Sequence, residues 1–402
     1  MRCVLSSIRE LILAEGVISI RDDCKGCDDC VKVCPNNAIT VNGLGTKHVI
    51  DPTKCLSCGQ CLITCPFGRI EDKSMVDEVK EALAGNKVVV VQEAPAVRAG
   101  LGEAFGLETG TDVEGQMIAA LQQLGFDHVY DTVFGADMTI MEEGHELIGR
   151  LMRDMGVPGY ETVEGKIPQF TSCCPGWVRY AELNYPDMLE HLSTAKSPMM
   201  MQAAVTKTYG AQQLGIDPAD MFSVAVMPCT SKKYESSRPE FISSGYRDID
   251  AVITTRELAQ MIEEAGIDLA SLAPSEPESL LGQGSGAGVI FGNTGGVMEA
   301  ALRTAYAALS GEELGTFEIT AVRGEDAVRS ATVTIPLSDE WKAATGLEQL
   351  DLNVAVVSGS QNVTGLMEEV AAGTSPYHFI EVMNCPGGCV NGGGQPINHE
   401  IL

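Results

Sequence analysis

Cys24-Lys25-Gly26-Cys27-Asp28-Asp29-Cys30-Val31-Lys32-Val33-Cys34-Pro35 is repeated as Cys55-Leu56-Ser57-Cys58-Gly59-Gln60-Cys61-Leu62-Ile63-Thr64-Cys65-Pro66. Both stretches read C-x2-C-x2-C-x3-C-P, and each cysteine of the second copy lies 31 residues after its counterpart. A tight loop offering three thiolates at this spacing can wrap one corner of an iron–sulfur cube. Zinc sites close around four ligands, usually two C-x2-C pairs or cysteines with histidines, so the third and fourth cysteines and the repetition fit zinc poorly. Dense disulfide frameworks belong to small secreted chains. Metal chemistry therefore explains these eight cysteines and structural disulfides do not. Cys3 lies outside both copies and reads as a fortuitous thiol.

The duplicated stretch resembles a bacterial two-cluster ferredoxin domain, in which the fourth cysteine of each run ligates the other cube. That resemblance implies the ligand sets Cys24, Cys27, Cys30, Cys65 and Cys55, Cys58, Cys61, Cys34, two 4Fe-4S clusters in an electron wire. Small cluster domains bury little apolar surface, so metal binding supplies much of their folding free energy.

At 402 residues the chain is long for one domain. Apolar residues make up 45% and charged residues 20%, ordinary for a globular protein with a real core. Lys plus Arg total 27 against 55 Asp plus Glu, a formal charge of −28. That balance disfavours nucleic acid and anionic membranes, which need a concentrated positive footprint. It suits steering toward a redox carrier with a positive patch, and equally suits a solvated acidic surface. No stretch of about 20 apolar residues reads as a membrane span. Arg9 and Glu10 interrupt the apolar stretch Met1–Leu13 of the N-terminal segment 1–19, so that stretch is expected as a short amphipathic helix or strand rather than an export signal, which points to the cytoplasm.

Residues 20–84 are expected to form a small α+β domain, with β-prone pieces at Ala38–Val41 and His48–Ile50 and a helix from Met75 to Leu83 stopped by Gly85. From residue 85 the texture changes. Buried-strand runs (Val88–Val91, Phe222–Met227, Ala251–Thr254, Val289–Phe291, Val354–Val357, Phe379–Met383) alternate with helical stretches at Glu114–Leu124, Met138–Met155 and Arg256–Glu264. This pattern predicts an α/β region of mainly parallel sheets flanked by helices. Ala270–Gly288, rich in Ser, Pro and Gly, should be a surface loop.

Five further cysteines lie in this region, in Thr171-Ser172-Cys173-Cys174-Pro175-Gly176-Trp177, in Met227-Pro228-Cys229-Thr230-Ser231-Lys232-Lys233-Tyr234-Glu235, and in the run Glu381-Val382-Met383-Asn384-Cys385-Pro386-Gly387-Gly388-Cys389 that continues to Pro396. Each run follows a predicted strand, and open α/β sheets build sites at strand carboxyl ends. Glycines around Cys389 let backbone approach a ligand closely. Spacing alone supports another metal site, iron–sulfur by its all-thiol donors, without saying which.

These three runs resemble the signature loops of the iron-only (FeFe) hydrogenases, and Ala94-Pro95-Ala96-Val97-Arg98 and Ala136-Asp137-Met138-Thr139-Ile140 fit that family as well. The resemblance implies an H-cluster domain of two lobes over 85–402. It also implies an H-cluster: a 4Fe–4S cube joined through one cysteine to a di-iron unit with carbon monoxide, cyanide and a dithiolate amine. Cys174, Cys229, Cys385 and Cys389 would hold the cube, Cys389 bridging. Cys173 would be the thiol facing the amine. Lys232 and backbone near Pro95 and Ala96 would donate to cyanide, and Met227, Met383 and Phe291 would pack against the cofactor.

On the expected helix Met138–Met155, Glu143, Glu146 and Arg150 share one face, which periodicity alone reads as a solvated ion-paired surface. The resemblance instead implies a proton relay through Glu143, Ser193, Glu146 and Arg150. The histidines have no metal-ligand spacing.

The implied activity is reversible oxidation of hydrogen to two protons and two electrons, with a ferredoxin or multihaem cytochrome as external carrier. The alternative is a hydrogen-sensing or iron–sulfur assembly relative without high turnover. Two departures stand out. Ala96 occupies a position where some relatives carry serine, leaving only backbone donation. The chain stops six residues after Pro396, where single-chain relatives continue. The heterodimeric type of sulfate-reducing bacteria places those helices on a small subunit, so a small hydrogenase subunit, with periplasmic co-export, and transient maturation proteins are expected partners.

Overall fold

The computed structural model describes Ile12 and residues 15–43, 45–280, 282–314, 322–324 and 326–397. Cys3, and nearly all of the segment expected as an N-terminal helix or strand, lie outside the described residues. The chain divides into two units: Met1–Gly135 with Met199–Gly284 and Cys389–Leu402, and Ala136–Pro198 with Ser285–Gly388.

In the first unit the cysteine repeat is a repeat of backbone conformation as well. Left-handed φ angles occur at Gly26 and Ser57, at Asp28 and Gly59, and at Asn37 and Gly68, each pair 31 residues apart. These turns lead into matching short helices, Asp29–Lys32 and Gln60–Thr64. β1 (Ile18–Ile20) pairs antiparallel with β4 (Ile70–Asp72), and β2 (Ile39–Thr40) with β3 (Val49–Ile50). The first strand thus closes on the last.

The same unit holds a parallel sheet of β5 (Val88–Glu93), β6 (His128–Asp131), β8 (Met221–Met227) and β9 (Ala251–Thr254) in the order β6-β5-β8-β9. All seven residues of β8 are buried, as a central parallel strand covered on both faces requires. Helices Val76–Leu83, Glu114–Leu124 and Thr255–Glu264 pack on it through Val79, Ile118, Leu121, Leu258 and Ile262. The last begins with a capping box in which Thr254 and Glu257 satisfy each other's backbone N–H.

In the second unit β7 (Gln169–Phe170), β12 (Phe379–Met383), β11 (Gln349–Ser358) and β10 (Val328–Pro336) form a sheet in the order β10-β11-β12-β7. β7, β12 and β11 run parallel, and β10 is an antiparallel edge. Helices Val133–Asp154 and Gly296–Ser310 contribute Ile148, Met152, Val297 and Leu302 to a core with Val354, Val356 and Phe379.

One expected strand is absent. Val289–Phe291 is helical, ending a turn over Gly286–Val289 and entering a 3-10 turn over Ile290–Gly292. The Ser285 side chain caps the turn by accepting from Ala287 N, and a three-residue apolar run carries too little periodicity to separate strand from buried helix. The same turn encroaches on the loop expected to run to Gly288. Among the described residues no helix is long and apolar enough to cross a membrane.

Candidate functional site

Four loops at strand carboxyl ends carry the expected site residues. β5 ends at Glu93 and leads into helix Pro95–Ala104, and β8 leads through Cys229 into helix Ser231–Ser237. β7 leads through Cys173 to helix Pro175–Asn184, whose N-cap is Cys174, and β12 leads to Cys385. Proline at the first turn of the helices after Ala94 and Cys174 starts each one where its missing N–H costs nothing. No disulfide joins the thirteen described cysteines.

In the repeat, Cys34 lines one cavity with Cys55, Cys58 and Cys61, closed by Ile18, Val33, Ile39 and Leu56. Sulfurs accept backbone N–H groups in matched positions: Gly26 to Cys24 and Ser57 to Cys55, Ala38 to Cys34 and Arg69 to Cys65, at 3.2–3.5 Å. The Cys30 thiol is pushed up to about 11, first by burial and then by the neighbouring Cys27, Cys24 and Cys65. Cys61 rises well above its usual value, first by burial and then by Cys58, Cys55 and Cys34. Thiolates this crowded need positive charge among them, and iron supplies it.

In the first unit the glycine run folds back on the Cys229 loop. Gly394 N donates to Pro228 O at 2.8 Å, and a Cβ on Gly392 would lie 2.2 Å from that same oxygen. Only glycine fits there. Gln395 Nε2 donates 2.7 Å to Ala96 O, which ties the run to the Pro95–Ala96 turn. Ala96 and Met227 are buried, and Pro95 is half-buried. Lys232 is buried too, its Nζ donating to Glu235 Oε2 at 2.7 Å one helical turn away.

In the second unit Asn384 N donates to Cys174 Sγ at 3.4 Å, and a Cβ on Gly176 would lie 3.0 Å from the Asn384 side chain. The Cys174 and Cys385 loops are therefore neighbours. Trp177 Nε1 donates 3.0 Å to Thr171 O, and its ring packs on Phe170 at 5.6 Å between centroids. Cys173 is buried within one apolar cluster with Phe291 and Met383.

Glu143 is fully buried, one carboxylate oxygen accepting Ser172 N at 3.3 Å. Burial pushes its carboxyl up to about 8, against the opposing pull of the Ser172 N–H and the Ser193 hydroxyl. Ser193 Oγ donates 2.8 Å to Glu146 Oε2, and Arg150 Nη2 donates 2.5 Å to Glu146 Oε1. Arg150 is fully buried and also donates to the carbonyls of Lys166 and Leu192, at 3.0 and 2.9 Å. The solvated ion-paired face that periodicity suggested is a buried network instead.

Three contributors escaped the sequence reading: Gln395, Glu235, and Gln169, whose Nε2 donates 3.0 Å to the backbone carbonyl of Glu143. Gln395 at least sat inside a run already singled out. Glu235 closes another such run, three residues after Lys232, and only Gln169 carried no signal. The carboxylates of Glu93, Glu114 and Asp131 also come within reach of a single ion. Arg98 already pairs with all three, at 2.6–2.9 Å, so this is a closed knot of ion pairs.

Residues 87–393 match the model of the iron-only hydrogenase large subunit, C-terminal domain, and residues 23–69 match a 4Fe-4S dicluster domain. The chain is 49% identical over 382 residues to the periplasmic Fe hydrogenase large subunit of Nitratidesulfovibrio vulgaris, covering 94% of this chain and 86% of the relative. It is 45% identical to the NADP-reducing hydrogenase subunit HndD of Solidesulfovibrio fructosivorans, over 96% of this chain but only 66% of that longer protein. A solved structure of a variant of the FeFe-hydrogenase HydA1 from Chlamydomonas reinhardtii is similar with a TM-score of 0.71 and 40% identity, covering 81% of this chain and 85% of that one.

Proposed function

Since the chain belongs to the iron-only hydrogenase family, we propose a division of labour among its residues for the reversible oxidation of hydrogen to two protons and two electrons. When bound, the H-cluster supplies the iron site at which hydrogen is split and its electrons are taken up. Cys174, Cys229, Cys385 and Cys389 would hold its cube, Cys389 also serving the di-iron unit. An all-thiol donor set with a backbone N–H on Cys174 Sγ fits an iron–sulfur group. Lys232 and the backbone N–H of Ala96, presented by Pro95 at the start of its helix, would donate to its cyanides, Glu235 fixing the lysine's direction. Met227, Met383 and Phe291 keep the surroundings dry.

Cys173 holds the proton nearest the reaction and exchanges it with Glu143. The single observation that carries this reading is the fully buried carboxyl of Glu143, pushed up to about 8 by that burial and accepting the backbone N–H of the residue before Cys173. Ser193 and Glu146 continue the path, and Arg150 holds Glu146 in its orientation. Residues 20–84 carry the two 4Fe-4S clusters, ligated by Cys24, Cys27, Cys30, Cys65 and by Cys55, Cys58, Cys61, Cys34. They pass electrons to an external carrier, a ferredoxin or a multihaem cytochrome. The similarity to a periplasmic large subunit supports a small subunit and co-export with it; pull-down and fractionation of native cells test both.

Infrared spectra of the maturated protein, followed by hydrogen evolution from reduced viologen, test the whole. Iron-bound carbonyl and cyanide bands with turnover are expected. Missing bands would remove the cofactor assignment, and bands without turnover would favour a sensing or assembly role.

A further inference from the structure

Two buried hydroxyls join the loop of Cys229 to the loop between Cys55 and Cys58. Thr230 Oγ1 donates 2.6 Å to Ser57 O, and Ser231 Oγ donates 2.8 Å to Leu56 O. Both hydroxyls belong to residues of no more than 1% exposure. Gly393 closes the same junction, since a Cβ there would lie 2.2 Å from Cys58 O.

One turn further along, Lys233 is fully buried. Its Nζ donates to Asp72 Oδ2 at 2.7 Å, to Lys73 O at 2.8 Å and to Glu257 Oε1 at 2.8 Å. Arg256 Nη2 reaches the other oxygen of Asp72 at 3.2 Å, while Glu257 Oε2 takes Thr254 N at 2.7 Å. Two cations and two anions thus balance in a largely buried site, each held from several directions. Asp72 ends β4 of the cysteine-repeat fold, and Lys233 lies four residues after Cys229. A buried charge tolerates little displacement from its partners, so this square fixes how the two loops meet.

We propose that Thr230 and Ser231 form the route by which electrons cross between the group ligated by Cys229 and the cube ligated by Cys55 and Cys58, and that Lys233 and Asp72 are positioning residues for that crossing. The inference rests on the ligand sets of the proposed function. Each crossing oxidises one centre by one electron and reduces the other by one; no bond forms or breaks and no proton moves. Hydrogen bonds replace gaps along the way, and electron transfer weakens steeply across gaps.

The test uses the maturated holoenzyme and the variants Thr230→Val, Ser231→Ala, Asp72→Asn and Asp72→Glu. Three quantities are read: iron content, hydrogen–deuterium exchange with solvent, which needs no electron to leave the active centre, and the freeze-quench EPR rate at which hydrogen reduces the ferredoxin-type cubes. With iron and exchange unchanged, the reduction rate should fall at least tenfold in Thr230→Val and Asp72→Asn, and Asp72→Glu should recover part of it. The magnetic interaction between neighbouring reduced cubes should weaken in Asp72→Asn. A parental reduction rate in Thr230→Val and Ser231→Ala at full iron content would overturn the route. Parallel loss of exchange and reduction in those two variants would do the same, by making the role merely structural. Should Asp72→Asn fail to load iron, the hydroxyl variants decide. Absence of exchange in the parent protein would count against the hydrogenase reading instead.

Discussion

Ser193 Oγ lies 2.8 Å from Oε2 of Glu146, whose other oxygen is taken by Arg150 at 2.5 Å, so the serine hydroxyl is aimed by a carboxylate that is itself held still. Replacing Ser193 by alanine removes the hydroxyl without leaving a charge unpaired. Hydrogen evolution should fall by about 10²-fold, the low end for a lost proton-transfer group, with carbonyl and cyanide bands unchanged. Full turnover in Ser193→Ala would take serine out of the relay.

Cys173→Ala should cost more, because among the described residues of the second unit the only other thiols are Cys174 and Cys385, and both of those are assigned to the cube. We expect turnover near background, about 10³-fold or more below the parent, while infrared spectra still report a bound H-cluster. Cofactor loss in this variant would instead make Cys173 a structural thiol.

The raised carboxyl of Glu143 has a thermodynamic sign. Between the ordinary carboxylate value of 4.5 and about 8 the folded protein keeps a proton that the unfolded chain has lost. Stability therefore falls as pH rises through that window and levels off above it, by an amount on the order of a few kcal/mol. Glu143→Gln, which cannot ionise, should show a flatter Tm between pH 5 and pH 8. Parallel Tm profiles for variant and parent would mean that Glu143 is already ionised when buried.

Cys34 belongs to the first motif copy yet shares a cavity with the cysteines of the second. Cys34→Ala should remove the cube of Cys55, Cys58 and Cys61, and leave the cube of Cys24, Cys27, Cys30 and Cys65 as the surviving ferredoxin-type EPR signal. If Cys65→Ala and Cys34→Ala extinguish the same signal, the crossed ligation is wrong.

Gly393→Ala places a methyl 2.2 Å from Cys58 O and 2.5 Å from Gly59 Cα, where only backbone could yield. Overpacking of this kind costs about 1–3 kcal/mol, measurable as a lower Tm. Gly365, with nothing within 4 Å of an added Cβ, is the control and should tolerate alanine.

The strands that sequence made visible are those buried on both faces, such as β8 and β12, where apolar side chains are broken only by Ser223 and by Glu381. β10 escaped because it is an edge, alternating exposed and buried residues with Thr332 and Thr334 turned to solvent. β7 has two residues and exists only because β12 pairs with it. The cysteines were legible because ligand spacing is set by the metal, before any fold is known. The partners of Gln169 and Lys233 were not, since tertiary placement chooses them. The helix face of Glu143, Glu146 and Arg150 shows the limit most clearly: periodicity gives the neighbours correctly and says nothing of what covers them.

The interlocking of the cysteine repeat also imposes an order in time. A ribosome releases Cys24, Cys27 and Cys30 well before Cys65, and Cys34 before the three residues that share its cavity. With the crossed ligand sets, neither half of the repeat can seat its metal alone while synthesis is still under way. A nascent chain cut before Cys55 therefore holds neither complete ligand set, however much of the first copy has emerged.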